Sequence, residues 1–96
     1  MVFEEGIFKG KTVLITGGGT GIGRELARQF GRLGAHVVVA ARREEPLAQT
    51  VSMIEADGGL ASFKLLDIRD ADGIAACIDE ICSEHGRIDV LVNNAG

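Results

Sequence analysis

Thr12-Val13-Leu14-Ile15-Thr16-Gly17-Gly18-Gly19-Thr20-Gly21-Ile22-Gly23 decides the reading of this chain. An apolar β-branched run enters a cluster of glycines, and a helical pattern starting at Ile22 leaves it. Strand, glycine turn and helix in that order open a phosphate-binding βα unit. The N–H groups of a helix's first turn have no partner inside the helix and carry a partial positive charge. A pyrophosphate can approach them only where no side chain intervenes, which is the use of glycine in the turn.

Spacing narrows the choice. The pattern GxGxxG cannot be laid on these glycines, because starting at Gly17 puts Ile22 in the last slot and starting at Gly19 puts Arg24 there. TGxxxGxG fits, with Thr16, Gly17, Gly21 and Gly23 in its fixed positions. Two more motifs follow in order: Asp67 after a later apolar run, and Asn93-Asn94-Ala95-Gly96 at the end. From about Lys9 to Gly96 the chain resembles the short-chain dehydrogenase/reductase family. A glycine turn alone could merely join a strand to a helix; three motifs in order argue against that.

The 96 residues allow one domain of modest core or a piece of a larger one. Hydrophobic residues make up 46% and charged residues 25%, as in an ordinary globular chain. The net charge of −4 provides no basic stripe for nucleic acid. No apolar run approaches the roughly 18 residues of a membrane span. The acidic start, Met1-Val2-Phe3-Glu4-Glu5, is no secretion signal. Cys77 and Cys82 are the only cysteines; five apart on one helix, they diverge too far for a disulfide. They read as small apolar residues in a reducing, cytoplasmic setting.

Residues 1–8 read as a leader that packs loosely. A strand over Thr12 to Thr16 follows, then a helix from Ile22 to Leu33 with Ile22, Leu26, Phe30 and Leu33 as its apolar stripe. Arg24, Glu25, Arg28 and Arg32 take other faces, and Gly34 caps the end. His36 to Ala40 is continuous and apolar after its histidine, as in a strand covered on both faces. His36, with no second ligand at a suitable spacing, is no metal site. Pro46 suits the first turn of a helix that runs to Ala56 on Leu47, Val51 and Ile54. A third strand spans Ala61 to Leu66. Asp70 is the expected cap of a third helix that buries Ile74, Ile78 and Ile81 and stops at Gly86. Ile88 to Val92 is the fourth strand. Short right-handed crossovers turn this β-α-β-α-β-α-β order into an α/β fold, a Rossmann-type doubly wound parallel sheet of four strands and three helices. The expected strand order is 3-2-1-4, and every motif then sits at a strand's carboxyl end, where nucleotides bind.

Gly17, Gly19, Thr20, Gly21, Ile22 and Gly23 are the candidates for the pyrophosphate and adjoining ribose. Cofactor choice rests on the end of the second strand, about twenty positions on, where NAD enzymes carry an acidic residue. Here Ala41 leaves room for a 2′-phosphate, and Arg42 and Arg43 offer guanidinium partners. NADP(H) is therefore favoured over NAD(H). The bland reading makes the two arginines a solvated pair bridged to Glu44 and Glu45. The family resemblance implies adenine contacts from Asp67 and Ile68, against a plain helix-start role for Asp67. It also implies cofactor contacts from Asn93, Ala95 and Gly96, with Asn94 structural.

In the family resembled, hydride passes between nicotinamide and a carbonyl, alcohol or conjugated double bond. A tyrosine is the general acid/base, aided by a lysine four residues on, and both lie beyond the NNAG segment. This sequence has no tyrosine, and its lysines are Lys9, Lys11 and Lys64. No catalytic residue can be assigned within it. Residues 1–96 thus read as the N-terminal, NADP(H)-binding part of an oxidoreductase whose catalytic half is absent, inactive alone. A small-molecule substrate and a homo-oligomer belong to a complete protein only. Alternatives are a non-catalytic nucleotide-binding or regulatory module, and an interaction module that has lost binding, against which the intact glycines argue. Phe8-Lys9-Gly10-Lys11 and Arg42-Arg43-Glu44-Glu45-Pro46-Leu47 resemble the dienoyl-CoA reductase branch, which implies an enoyl thioester substrate. The isolated 96-residue chain is expected to be poorly stable, or to self-pair through the open edge of its fourth strand. Thermal unfolding with sedimentation checks this, and a monomeric, sharply melting sample overturns it.

Overall fold

Val13 and Ile15 point to one side of the first strand and Leu14 to the other, and all three are buried. Side chains alternate across a strand, so a strand buried throughout must be covered on both faces. The computed structural model describes residues 6–94 and shows that arrangement. Residues 1–5, Ala95 and Gly96 lie outside the described residues. In chain order the elements are β1 (Thr12–Thr16), α1 (Gly21–Arg32), β2 (His36–Ala41), α2 (Glu44–Ala56), β3 (Leu60–Leu65), α3 (Ala71–His85) and β4 (Val90–Asn93). The sheet is parallel, in the order β3-β2-β1-β4. Class, topology and strand order agree with the sequence reading.

The two faces have separate cores. Val13, Ile15, Val37 and Val39 meet Ala27 of α1 and Leu47 and Ile54 of α2. Leu14, Val38 and Ala40 meet Leu66, with Cys77 and Ile81 of α3, on the other face. Full burial of a Val, Leu or Ile side chain contributes ~1.5–3 kcal/mol. The two central strands, which hold most of these residues, therefore anchor the fold.

The helix stripes depart from expectation. The buried residues of α1 are Gly23, Ala27 and Gly31, while Leu26 and Phe30 are half-buried. Ile22 is 73% exposed. The cause is distance: α1 lies close against its neighbours, and small residues occupy the contact line. On α3, Cys77 is buried and Ile78 exposed, because one position around the helix turns Ile78 toward the uncovered side of β4. Thr50 takes a fully buried place on α2 between the expected Leu47 and Ile54.

Several ends also shift. Asp70 occupies the N-cap position of α3, but its side chain makes no capping hydrogen bond. Strand β3 starts and ends one residue early, and β4 begins at Val90 because Asp89 is otherwise engaged. The Asp89 carboxylate accepts from the Thr12 amide at 2.7 Å, and its own amide donates to the Thr12 carbonyl. Within the expected loose leader, Phe8 packs edge-on against Phe30 with centroids 5.3 Å apart, and its amide donates to the Leu33 carbonyl. Cys77 and Cys82 are free thiols, as spacing required.

His36 does have a histidine neighbour, 49 positions away in sequence. Its ring lies 4.2 Å from that of His85, and its Nε2 is 3.3 Å from the Ser62 hydroxyl. Nearby, Lys64 pairs with Glu84 at 2.8 Å. Among the described residues no group of three or more His, Cys, Asp and Glu side chains gathers as a metal site.

Two predictions follow from this packing. A Cβ on Gly31 would sit 2.8 Å from Ile54 Cγ2. Overpacking costs ~1–3 kcal/mol, which outweighs the gain of up to ~1 kcal/mol from removing a helical glycine. Gly31→Ala is expected to destabilise the protein, and to cost less in an Ile54→Ala background; a double-mutant cycle in denaturant measures both. Burial, then the adjacent His85, lowers the His36 pKa below its ordinary 6.5, against a smaller upward pull from Glu84. Just below that value the unfolded chain binds more protons, so stability falls with falling pH. Melting temperature should drop from neutral pH to about 5.5, and less so in His36→Gln.

Candidate functional site

The carboxyl ends of β1, β2 and β3 open onto one edge of the sheet, where the glycine turn, Arg42 and Asp67 gather. The turn itself is held by backbone geometry. Gly17 and Gly21 adopt φ of +70° and +57°, a region costly for residues with a Cβ. Gly23 faces the Gly17 carbonyl so closely that any Cβ there would collide with it. The Gly17 amide donates to the Ala40 carbonyl at 2.8 Å, tying the turn to β2. Thr20 takes the N-cap position of α1 without a side-chain capping bond. The first-turn N–H groups, including those of Ile22 and Gly23, are left without a side-chain partner there, as an anion site requires.

Two adjoining clefts open at this edge. One, of about 210 Å³, is lined by Gly17, Gly19, Thr20, Ala41, Arg42, Arg43 and Pro46. The other, of about 400 Å³, is lined by Ala40, Ala41, Arg42, Leu66, Asp67, Ile68 and Arg69. Ala41 and Arg42 belong to both, so the clefts are continuous. Both arginines are exposed, and among the described residues neither forms an ion pair with Glu44 or Glu45. The bridged reading of that segment does not hold.

The Asp67 carboxylate is engaged locally, in the turn before α3, as well as lining the larger cleft. Its Oδ1 accepts from the Arg69 amide at 2.9 Å and from Arg69 Nε at 3.1 Å, and its Oδ2 from Nη2 at 3.0 Å. The Arg69 guanidinium, then the Arg69 amide, hold the Asp67 carboxyl down at about 2, from an ordinary 3.8. Arg42 across the cleft adds a smaller pull in the same direction. The wall of the larger cleft is therefore an ionised carboxylate clasped by one guanidinium and facing another.

Of the sequence candidates, Gly17, Gly19, Thr20, Arg42, Arg43, Asp67 and Ile68 line one or both clefts. Gly21, Ile22 and Gly23 stand in the first turn of α1 and line neither. Asn93 lines neither cleft but an apolar recess of about 230 Å³, shared with Leu14, Thr16, Ile74 and Leu91, that adjoins the larger cleft at Leu66 and Ile68. Its Oδ1 accepts from the Thr16 hydroxyl at 3.1 Å. Asn94 has the structural part expected of it: its amide donates to Thr16 Oγ1 and its Nδ2 to the Gly17 carbonyl. Ala95 and Gly96 lie outside the described residues.

Sequence reading missed Arg24, Thr50 and Arg69. Arg24 stands off the large apolar stripe, as expected, yet it donates to Thr50 Oγ1 at 2.9 Å and to the Pro46 carbonyl at 3.1 Å. One signal was available: a threonine inside the Leu47–Ile54 stripe is a polar group in a buried row, and such groups require partners. Arg69 gave none, because its role depends on a turn closing over two residues.

Comparison with known proteins agrees with this geometry. Residues 11–96 match the family model described as short chain dehydrogenase. A probable 2,4-dienoyl-CoA reductase of Caenorhabditis elegans, decr-1.2, is 46% identical over 96 residues, which is 98% of this chain and 31% of the relative. Among solved structures, the citronellol catabolism dehydrogenase AtuB of Pseudomonas aeruginosa PAO1 superposes with a TM-score of 0.96 at 44% identity. That match covers 99% of this chain and 40% of the other. A metagenomic short-chain oxidoreductase in complex with NADP gives a TM-score of 0.91 at 44% identity, over 93% of this chain and 40% of that one. The chain thus spans about a third of the length of the first curated relative. From its glycine turn through its fourth strand, this chain belongs to the short-chain dehydrogenase family.

Proposed function

We propose that this chain is the cofactor-binding part of an NADP(H)-dependent oxidoreductase. The observation that carries the reading is the smaller cleft, where a glycine turn faces two arginines that form no ion pair with Glu44 or Glu45. Gly17, Gly19 and Thr20 form the phosphate wall, with the first-turn amides of Gly21, Ile22 and Gly23 behind it. Arg42 and Arg43 would hold the 2′-phosphate as charged, bidentate partners. Asp67, kept ionised, accepts from the adenine amine, and Ile68 gives the ring an apolar wall. Asn93, Ala95 and Gly96 would meet the ribose from the exit of β4.

The cofactor fits these residues for a steric reason: Gly17 and Gly19 line the smaller cleft without side chains, and Gly23 lets the first turn of α1 lie close on the Gly17 carbonyl. When bound it would supply or accept the hydride; the chain's own residues bind, orient and charge-match it. A tyrosine general acid/base of the family type is not among these 96 residues, and on this reading the chain alone would bind without turnover. The reaction of the whole protein would pass hydride between nicotinamide and a carbonyl, alcohol or enoyl substrate. The 46% identity to a probable dienoyl-CoA reductase supports an enoyl thioester within that set. Assembly as a homo-oligomer and a cytoplasmic setting complete the reading. Free thiols at Cys77 and Cys82 support the latter. Among the described residues no helix is long and apolar enough to cross a membrane.

Nucleotide titration of Arg42→Ala and Arg43→Ala tests it. Loss of a charged hydrogen bond is worth ~1.5–3 kcal/mol, so NADP+ should weaken about tenfold or more and NAD+ less than about threefold. Equal losses for both nucleotides would remove the 2′-phosphate from these arginines.

A further inference from the structure

The two walls of the smaller cleft are joined from behind by one side chain. Thr50 is fully buried on α2. Its hydroxyl donates to the Gly18 carbonyl at 2.9 Å, with the Gly19 carbonyl at 3.4 Å, and both belong to the glycine wall. The same oxygen lies 3.1 Å from the carbonyl of Pro46, on the arginine wall. A hydroxyl has one proton and two lone pairs. With Arg24 Nε donating to it at 2.9 Å, its own proton is directed at a carbonyl. Arg24 Nη2 also donates to the Pro46 carbonyl at 3.1 Å and to Gln49 Oε1 at 3.3 Å.

Thr50 thus receives a charged hydrogen bond from α1 and passes one to the turn, and such chains strengthen one another. Packing confirms how little slack exists between the walls. A Cβ on Gly19 would stand 3.0 Å from Pro46 Cβ, and one on Gly18 would collide with Val39. The separation between the pyrophosphate turn and the Arg42–Arg43 segment is therefore set by this strut together with that contact.

We propose that Thr50 and Arg24 are positioning residues for cofactor selectivity. They hold the glycine wall and the arginine wall at a spacing that lets one dinucleotide present its pyrophosphate and its 2′-phosphate together. Neither needs to touch the cofactor. This inference rests on the NADP(H) reading above. A site geometry must be kept within about 0.5 Å to hold two groups at once. NAD+ lacks the second group and is less sensitive to the spacing.

The test is nucleotide titration of the complete polypeptide carrying Thr50→Val or Thr50→Ser, with NADP+ and NAD+ as probes. Thr50→Val keeps the shape and removes the hydroxyl; the ratio of NADP+ to NAD+ affinity is expected to fall about fivefold. Thr50→Ser keeps the hydroxyl and is expected to restore the ratio to within about twofold. Should Thr50→Val fail to fold, Arg24→Met carries the same expectation, because it keeps the aliphatic stem and removes the donor. A folded Thr50→Val or Arg24→Met protein with an unchanged ratio overturns the proposal, whatever happens to its melting temperature. So does a Thr50→Ser protein as impaired as Thr50→Val. An unsubstituted protein that binds neither nucleotide, or prefers NAD+, overturns this inference and the cofactor reading together; retention of NADP+ preference with no change on substitution overturns this inference alone.

Discussion

The close approach of Gly23 to the Gly17 carbonyl is the constraint on which the rest of the site depends. It brings the first turn of α1 down onto the end of β1, where the strand's last carbonyls would otherwise meet solvent or a side chain. From that contact follow the direction of α1, the small residues at Ala27 and Gly31, and the open approach to the turn. A methyl group at position 23 would push the helix away and close the space a phosphate needs. The left-handed backbone at Gly17 and Gly21 belongs to the same turn.

The sheet is covered unequally. Helices α1 and α2 share one face and α3 alone covers part of the other. On that second face Leu91 is 59% exposed and, with Ile78 and Ile68, rims the apolar recess that also holds Asn93. Strand β4 pairs with β1 on one side, and no other described strand pairs with its far edge. Open apolar edges are a hazard for a chain alone. The smaller cleft is built on the better-packed side, where Val39, Leu47 and Ile54 give the glycine turn and the start of α2 a rigid base, while Ala40 and Leu66 of the other core line the larger one.

Charge at the site is divided between the two clefts. Arg42 and Arg43 are exposed at the smaller cleft. Asp67, at the larger cleft, is kept ionised by Arg69 and, more weakly, by Arg42. Since the Asp67–Arg69 pair is solvent-exposed, it contributes little to stability. Its effect is to maintain an acceptor beside a basic cleft. Arg24 is spent differently, on a buried hydroxyl and a helix carbonyl rather than on solvent.

How much of this was legible in the sequence depended on range. Local chemistry was: a β-branched run, glycines at TGxxxGxG spacing and apolar strands led to the parallel order β3-β2-β1-β4, because few topologies accommodate that alternation. The residues lining the clefts, Gly17, Thr20, Arg42 and Asp67, were also legible, since each closes or follows a strand. Contacts made across the fold were not. A stripe of large residues predicted the buried face of α1, but the spacing between packed elements chose Gly23, Ala27 and Gly31. His36 gave no sign of His85, nor Arg24 of Thr50, because those pairs exist only once α2 and α3 are laid on the sheet. Sequence by itself determined the order of elements and the chemistry at their ends, through local propensity and spacing. Tertiary structure alone decided which helix faces are buried and which polar groups brace the turn, because both depend on distances between segments remote along the chain.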